Sequence, residues 1–187
     1  MADVTPNPKK RDYLLPPGCK DLIDVLQPRG HGKQHFLGTE SQIRLLQSGE
    51  DKGGLADIEK YVAMVFASEA RTFTLVVIPP GKKLTVDVTR GMGGAMISAY
   101  SFIPMNTDEE RAARDFFTRH NRPIPEVSDM PAQFFPDLPV HIRFTISPVP
   151  PETTLLASFL ASFFREVCGL SDQSELCFHY DEFADVA

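Results

Sequence analysis

Large apolar residues recur in adjacent pairs, four positions apart, through residues 153–168. The pairs are Leu155/Leu156, Phe159/Leu160, Phe163/Phe164 and Val167/Cys168. This spacing predicts an α-helix with one broad apolar face, because residues four apart share a helix face whereas strand residues alternate. The positions between the pairs hold small residues, namely Ala157, Ser158, Ala161 and Ser162. We interpret the segment as the central core helix. The back of this helix, opposite its apolar face, carries small residues rather than charged ones.

The remaining periodicity predicts two more helices and several strands. The further helices begin near Leu55, where apolar residues follow a 3.6-residue period, and at Thr107, which starts a capping box with Glu110. The predicted strands are residues 72–78, 84–88, 95–103 and 140–147, with a candidate last strand at 174–183. Strands joined by short turns are antiparallel. We therefore predict an α+β fold, with an antiparallel sheet of three to five strands packed against two or three helices.

The chain before residue 54 is predicted to be an N-terminal extension of a globular domain at 54–187. It divides into four parts: a disordered arm at 1–12, a short amphipathic helix within 13–27, a glycine- and histidine-rich loop at 28–38, and a short helix or strand at 39–47. The polar, glycine-containing segment 48–54 is predicted to be a linker. We expect residues 13–27 to dock on their own chain, with binding to a partner protein as the alternative.

The charge of the chain excludes some classes of partner. All of the net charge of −6 falls in residues 151–187, which carry one basic and seven acidic residues and form an acidic C-terminal tail. Because no part of the sequence concentrates the basic residues that contact a phosphate backbone, we expect no nucleic acid partner. No apolar run reaches membrane-spanning length, and the N-terminus lacks the apolar run of a signal peptide, so we expect no membrane partner. Three scattered cysteines indicate a cytoplasmic protein.

A glycine-rich loop follows the predicted hairpin and is a candidate anion site. Its residues are Arg90, Gly91, Gly93 and Gly94. Successive backbone N–H groups in such a loop can form an anion-binding nest, and Arg90 would add positive charge. The loop lacks the Lys-Ser/Thr pair of a phosphate-binding P-loop. Glycines between two strands also serve tight turns and bulges, which is the structural alternative.

Other reactive side chains form no recognisable catalytic or metal-binding motif. Cys177 and His179, or His31 and His35, offer only two metal ligands each, and no C-x-x-C pair is present. Cys19 follows a Pro-Pro-Gly turn, but no histidine is placed beside it by sequence. We therefore expect no catalytic residue, no metal and no cofactor.

The small back of the 153–168 helix has two interpretations of comparable weight. Ala157, Ser158, Ala161 and Ser162 repeat at four-residue spacing, so another backbone can approach closely. The functional interpretation is a self-association face or a groove for a partner segment. The structural alternative is tight packing inside one domain.

The order helix, three strands, helix, strand, helix resembles the type III secretion chaperone-like family and its bacterial YbjN-like relatives. The similar segments are ERAARDFFTRHNRPIP, VHIRFTISP and LLASFLASFFREVCGLSDQSELCF, within about residues 55–180. The resemblance implies a small, acidic, non-enzymatic and often dimeric domain that binds extended segments of other proteins.

We therefore predict a protein- or peptide-binding domain, chaperone-like or adaptor-like, whose partner is a protein segment or a second copy of the chain. The alternative is a small-ligand or anion-binding protein, or an enzyme, centred on the loop at residues 90–94.

Overall fold

The computed structural model describes residues 35–36, 39–40, 43–91, 96–122 and 141–185. The eight strands in these ranges are β1 (His35–Phe36), β2 (Thr39–Glu40), β3 (Ile43–Gly53), β4 (Thr72–Ile78), β5 (Thr85–Arg90), β6 (Ile97–Pro104), β7 (His141–Ile146) and β8 (Leu176–Asp185). The helices are α1 (Ile58–Ala67), which follows a 3-10 turn at Leu55–Asp57, α2 (Asp108–Arg119) and α3 (Thr153–Cys168). The predictions for residues 1–34 lie outside the described residues.

Six of the strands form one open antiparallel sheet in the order β3-β8-β4-β5-β6-β7. Among the described strands, β1 and β2 pair with each other in a separate two-stranded sheet. The predicted α+β class, with an antiparallel sheet and three helices, is confirmed. The sheet has one strand more than the upper limit of the prediction, because β3 was not recognised as part of it.

The core lies between the three helices and one face of the sheet. As predicted, α3 is a core helix: Leu156, Leu160 and Phe163 are fully buried, and the helix contacts both α1 and α2. Aromatic rings fill the space between the layers. The Phe117 ring stacks on Phe144 of β7 at a centroid distance of 5.1 Å. Such aromatic contacts add to the burial of apolar area, so this layer holds α2 and α3 on the sheet.

The helix α2 begins at the predicted capping box. The Thr107 Oγ1 atom accepts a hydrogen bond from the Glu110 N–H at 3.1 Å. The Glu110 carboxylate accepts from the N–H of Asn106, one residue further upstream than in the standard box, at 2.6 Å. Glu110 also forms an ion pair with Arg114, one turn later in the helix, at 2.8 Å. The start of α2 is therefore defined by contacts within a few residues of sequence.

The predicted linker was wrong, whereas the candidate last strand is confirmed. Residues 48–53 are not a linker, since β3 continues through Gly53 and pairs along its length with β8. The strand predicted at 174–183 is β8, and it lies between β3 and β4, so the end of the acidic segment belongs to the sheet. The linker prediction failed because an edge strand can be polar on both faces, and the pairing partner of β3 lies more than a hundred residues away in the sequence.

Candidate functional site

The small residues of α3 do not form one surface. Ala157 and Ala161 are buried in the core of the same chain, whereas Ser158 is exposed and Ser162 is half-buried. The alanines therefore correspond to the structural alternative, close packing within the domain. Contact between Ser158 or Ser162 and a partner stays a prediction.

The side chain of Arg90 points into the fold rather than forming an open anion site. Its Nη1 atom donates hydrogen bonds to the backbone carbonyls of Val65, at 3.4 Å, and Phe66, at the end of α1. The last carbonyls of a helix lack intrahelical donors and carry partial negative charge, so a guanidinium group stabilises them. Gly91 donates its N–H to the Met96 carbonyl at 2.7 Å, which closes the loop. Arg90 therefore serves the helix end.

Gly93 and Gly94, the other two residues of the candidate anion site, lie outside the described residues. The anion-nest prediction for them stays a prediction. With Arg90 engaged by α1, the prediction depends on the loop backbone alone.

The two described cysteines lie on opposite faces of the sheet. Cys168 is in the main core, and burial raises the pKa of its thiol to about 12, which makes it unreactive at neutral pH. The Cys177 thiol donates to the Glu50 carboxylate at 3.6 Å on the other face. Across the ranges that the structure covers, no three His, Cys, Asp or Glu side chains form a group that could hold a metal ion. Cys19 and His31 are outside those ranges, and His35 lies in β1.

The histidines described in detail make contacts of different kinds. His120 packs against Phe116, with ring centroids 4.2 Å apart. The His141 Nε2 atom lies 3.3 Å from the Lys83 carbonyl oxygen. His179 is 2% exposed, and its Nε2 atom lies 3.2 Å from a carboxylate oxygen of Asp181. The last of these is a buried acid–base pair on the face of the sheet away from the helices.

A half-buried aspartate on that same face, Asp87, was missed in the sequence. Val76 of β4 pairs with both His179 and Asp87, so the three residues form one row across the sheet. Burial raises the pKa of Asp87 to about 7, and its Oδ1 atom has no hydrogen-bond partner. The backbones of Asp87 and His179 are two strand spacings apart, about 10 Å. The Asp87 carboxyl can take up a proton near neutral pH, but the row does not assemble a nucleophile with its base.

The signal for Asp87 in the sequence was the alternation of polar and apolar residues in the strand TVDVTR. Polar residues at alternate positions normally face solvent. The pattern therefore predicted the face of the sheet on which Asp87 lies, but not that its carboxyl is shielded from solvent.

Strand β3 forms one edge of the six-stranded sheet and is exposed over most of its length. It is eleven residues long, and β8 is its one neighbour among the described strands. Four large apolar side chains of the described residues are exposed, and two of them belong to β3: Leu45 is 41% exposed and Leu46 is 47% exposed. The second edge strand, β7, has only six residues. A long edge strand with exposed apolar side chains is a template for pairing with another strand.

Two tyrosine side chains, one from α1 and one from β8, hold β3 on the sheet. The Tyr61 hydroxyl of α1 donates to the Asp51 carboxylate at 3.0 Å. The ring of Tyr180 lies so close over Gly49 that a Cβ atom there would be 2.2 Å from its Cζ atom. The strand therefore presents a defined backbone edge rather than a loose segment, which reduces the ordering cost of pairing with a partner.

The ladder between β3 and β8 contains one irregularity. Leu45 pairs with Phe183 and Gln47 pairs with Glu182, so Leu46 is an extra residue in β3. Such a bulge shifts the alternation of side chains by one position. As a result, the two exposed leucines lie side by side where the alternation changes.

Neither a protein-family model nor a curated protein matches this chain. The resemblance to the type III secretion chaperone-like family therefore stays a prediction. None of the helices in the described ranges combines the length and apolar character that crossing a membrane requires.

Proposed function

We propose that this chain is a non-enzymatic, cytoplasmic protein-binding domain that binds an extended protein segment along strand β3. The observation that carries the proposal is the exposed edge of β3, which has one neighbour among the described strands and two exposed leucines. In this mode of recognition, backbone hydrogen bonds supply affinity and alternate side chains supply specificity. A cytoplasmic location is supported by the three scattered cysteines of the sequence, which suit a reducing compartment.

The balance of free energies indicates which contacts determine the affinity. A partner strand that forms about five backbone hydrogen bonds gains about 5 kcal/mol, at about 1 kcal/mol net for each bond. Association costs on the order of 4–15 kcal/mol, so these bonds alone give weak binding at best. Covering the exposed halves of Leu45 and Leu46 adds about 1 kcal/mol each. We therefore expect the two leucines to decide between measurable binding and none.

The charges of β3 restrict the chemistry of the bound segment. Glu50 and Asp51 lie near one end of the strand, with Arg44 at the other end beyond the leucines. Opposite charges on directly paired residues stabilise a strand pair, and like charges destabilise it. An antiparallel partner would therefore have a basic residue opposite the acidic end of β3.

The test is selection of peptides from a displayed random library against the purified full chain. Hydrogen–deuterium exchange is then measured with and without the selected peptide. We expect the bound peptide to slow exchange of backbone amides in residues 43–53. The variant Leu45→Lys/Leu46→Lys should lose binding, because it places two charges at the contact.

The matched control is Leu155→Lys, the same change at a leucine of α3 that is 51% exposed and lies away from the edge. This variant should keep full binding. Protection by the peptide of another surface, with β3 unchanged, would contradict the proposal, as would equal binding by all three proteins.

A further inference from the structure

We propose that the strand that pairs with β3 is β3 of a second copy of this chain, antiparallel about a two-fold axis at Ser48. This inference rests on the proposed function, since it requires β3 to accept a strand. It is carried by the positions of two oppositely charged, exposed residues, Arg44 and Asp51. They share a face of the sheet and are the same number of paired positions from Ser48.

The shared face follows from the register with β8. Asp51 pairs with Phe178, and Arg44 pairs with Ala184. Phe178 and Ala184 are six residues apart on β8, so their side chains point to the same face. Directly paired residues of neighbouring strands also share a face, which places Arg44 and Asp51 together. The two residues are seven positions apart in β3, an odd number that would normally place them on opposite faces, and the extra residue, Leu46, brings them onto one face.

The equal spacing follows from the same bulge. Asp51 is three residues after Ser48. Arg44 is four residues before Ser48, but Leu46 has no partner in the ladder, so three paired positions separate them. A two-fold axis at Ser48 therefore places Arg44 of each copy opposite Asp51 of the other. The contact is isologous and contains two such ion pairs.

Neighbouring registers lack this complementarity. A two-fold axis at Glu50 would place the Glu50 carboxylates of the two copies directly opposite each other, and an axis at Asp51 would do the same for Asp51. Like charges on directly paired residues are destabilising. An axis at Gly49 places Arg44 opposite Gly53, so no ion pair forms between the two strands. The register about Ser48 also brings Leu45 and Leu46 of both copies into the contact, where they lose exposure to solvent.

The experiment uses two charge variants, Arg44→Asp and Asp51→Arg, studied by analytical ultracentrifugation over a wide range of concentration. The unmodified chain is expected to dimerise. Each variant alone should dimerise at least about tenfold more weakly, because both ion pairs become like-charge pairs. An equimolar mixture of the two variants should restore association as a heterodimer, since both cross-strand pairs are then of opposite charge.

Two further variants keep the test independent of folding defects. The double variant Arg44→Asp/Asp51→Arg carries both changes in one chain and should dimerise like the unmodified protein. Tyr61→Phe removes the hydrogen bond to Asp51 without changing charge, and it should also dimerise normally.

A monomeric unmodified chain at all concentrations would overturn the second copy as partner. Dimerisation of the unmodified chain without recovery in the mixture would overturn the Ser48 register. Neither result concerns the peptide experiment, in which protection of residues 43–53 tests the proposed function separately.

Discussion

Replacing Asp87 by asparagine should stabilise the protein in a strongly pH-dependent way. Burial raises the pKa of the Asp87 carboxyl from its ordinary value of 3.8 to about 7. Below about pH 4 the carboxyl is protonated in both the folded and the unfolded chain, and it carries no penalty. As the pH rises to 7, the unfolded chain ionises first, so the free energy of unfolding falls. The loss is complete once the pH passes the folded pKa.

The size of this effect follows from the pKa difference. One pKa unit corresponds to about 1.36 kcal/mol, so a change from 3.8 to about 7 corresponds to about 4 kcal/mol. This is an upper value, because Asp87 as a whole is only half-buried although its Oδ1 atom is shielded from solvent. The Asp87→Asn variant cannot ionise and escapes the loss. It should match the unmodified protein near pH 4 and exceed its stability by up to about 4 kcal/mol at pH 8.

The assay is urea unfolding at several pH values from 4 to 8. It is followed by circular dichroism, since the chain has no tryptophan to report by fluorescence. The matched control is Asp115→Asn, the same substitution at an exposed position of α2. The reasoning would be refuted if the stability difference between Asp87→Asn and the unmodified protein stayed constant across this pH range.

Two further substitutions test how the edge strand and α1 are held. Gly49→Val should cost about 1–3 kcal/mol in thermal or urea unfolding, because the new side chain displaces the Tyr180 ring, and the cost should disappear in a Tyr180→Ala background. Arg90→Ala should cost about 1–3 kcal/mol because it leaves carbonyls at the end of α1 without their donor, whereas Arg111→Ala, at an exposed residue, should cost under about 0.5 kcal/mol. Equal costs for the two arginine variants would contradict the capping role.

The sequence predicted best the elements whose burial imposes a period. The helix α3 and the strands β4 and β5 match their predicted segments within a few residues, because each has a face packed against the core. The first half of β3 lies in the segment 39–47, which was predicted as a short helix or strand, whereas its second half was predicted as a linker because it is an exposed edge. Its residues QSGEDKG are polar on both faces and have the composition of a linker. No local pattern distinguishes the two.

The candidate sites show the same limit of local patterns. Small residues such as Ala157 and Ala161 allow the close approach of any backbone, within the chain or outside it. The sequence alone could therefore not distinguish packing inside the domain from contact with a partner. The role of Arg90 depends on carbonyls more than twenty residues earlier in the chain, at Val65 and Phe66. That proximity arises from the packing of α1 on the sheet, which no spacing along the sequence encodes.

The place of β8 in the sheet has a consequence for folding during synthesis. β8 follows every other described element in the chain, yet it lies between β3 and β4. Until residues 176–185 leave the ribosome, β3 and β4 both lack their partner β8. The unpaired edge of β4 then includes apolar residues, such as Leu75 and Val77, that are fully buried in the folded protein. Pairing over such sequence separations is slow, and unpaired strand edges are prone to aggregation. The nascent chain is therefore most exposed to aggregation just before β8 emerges.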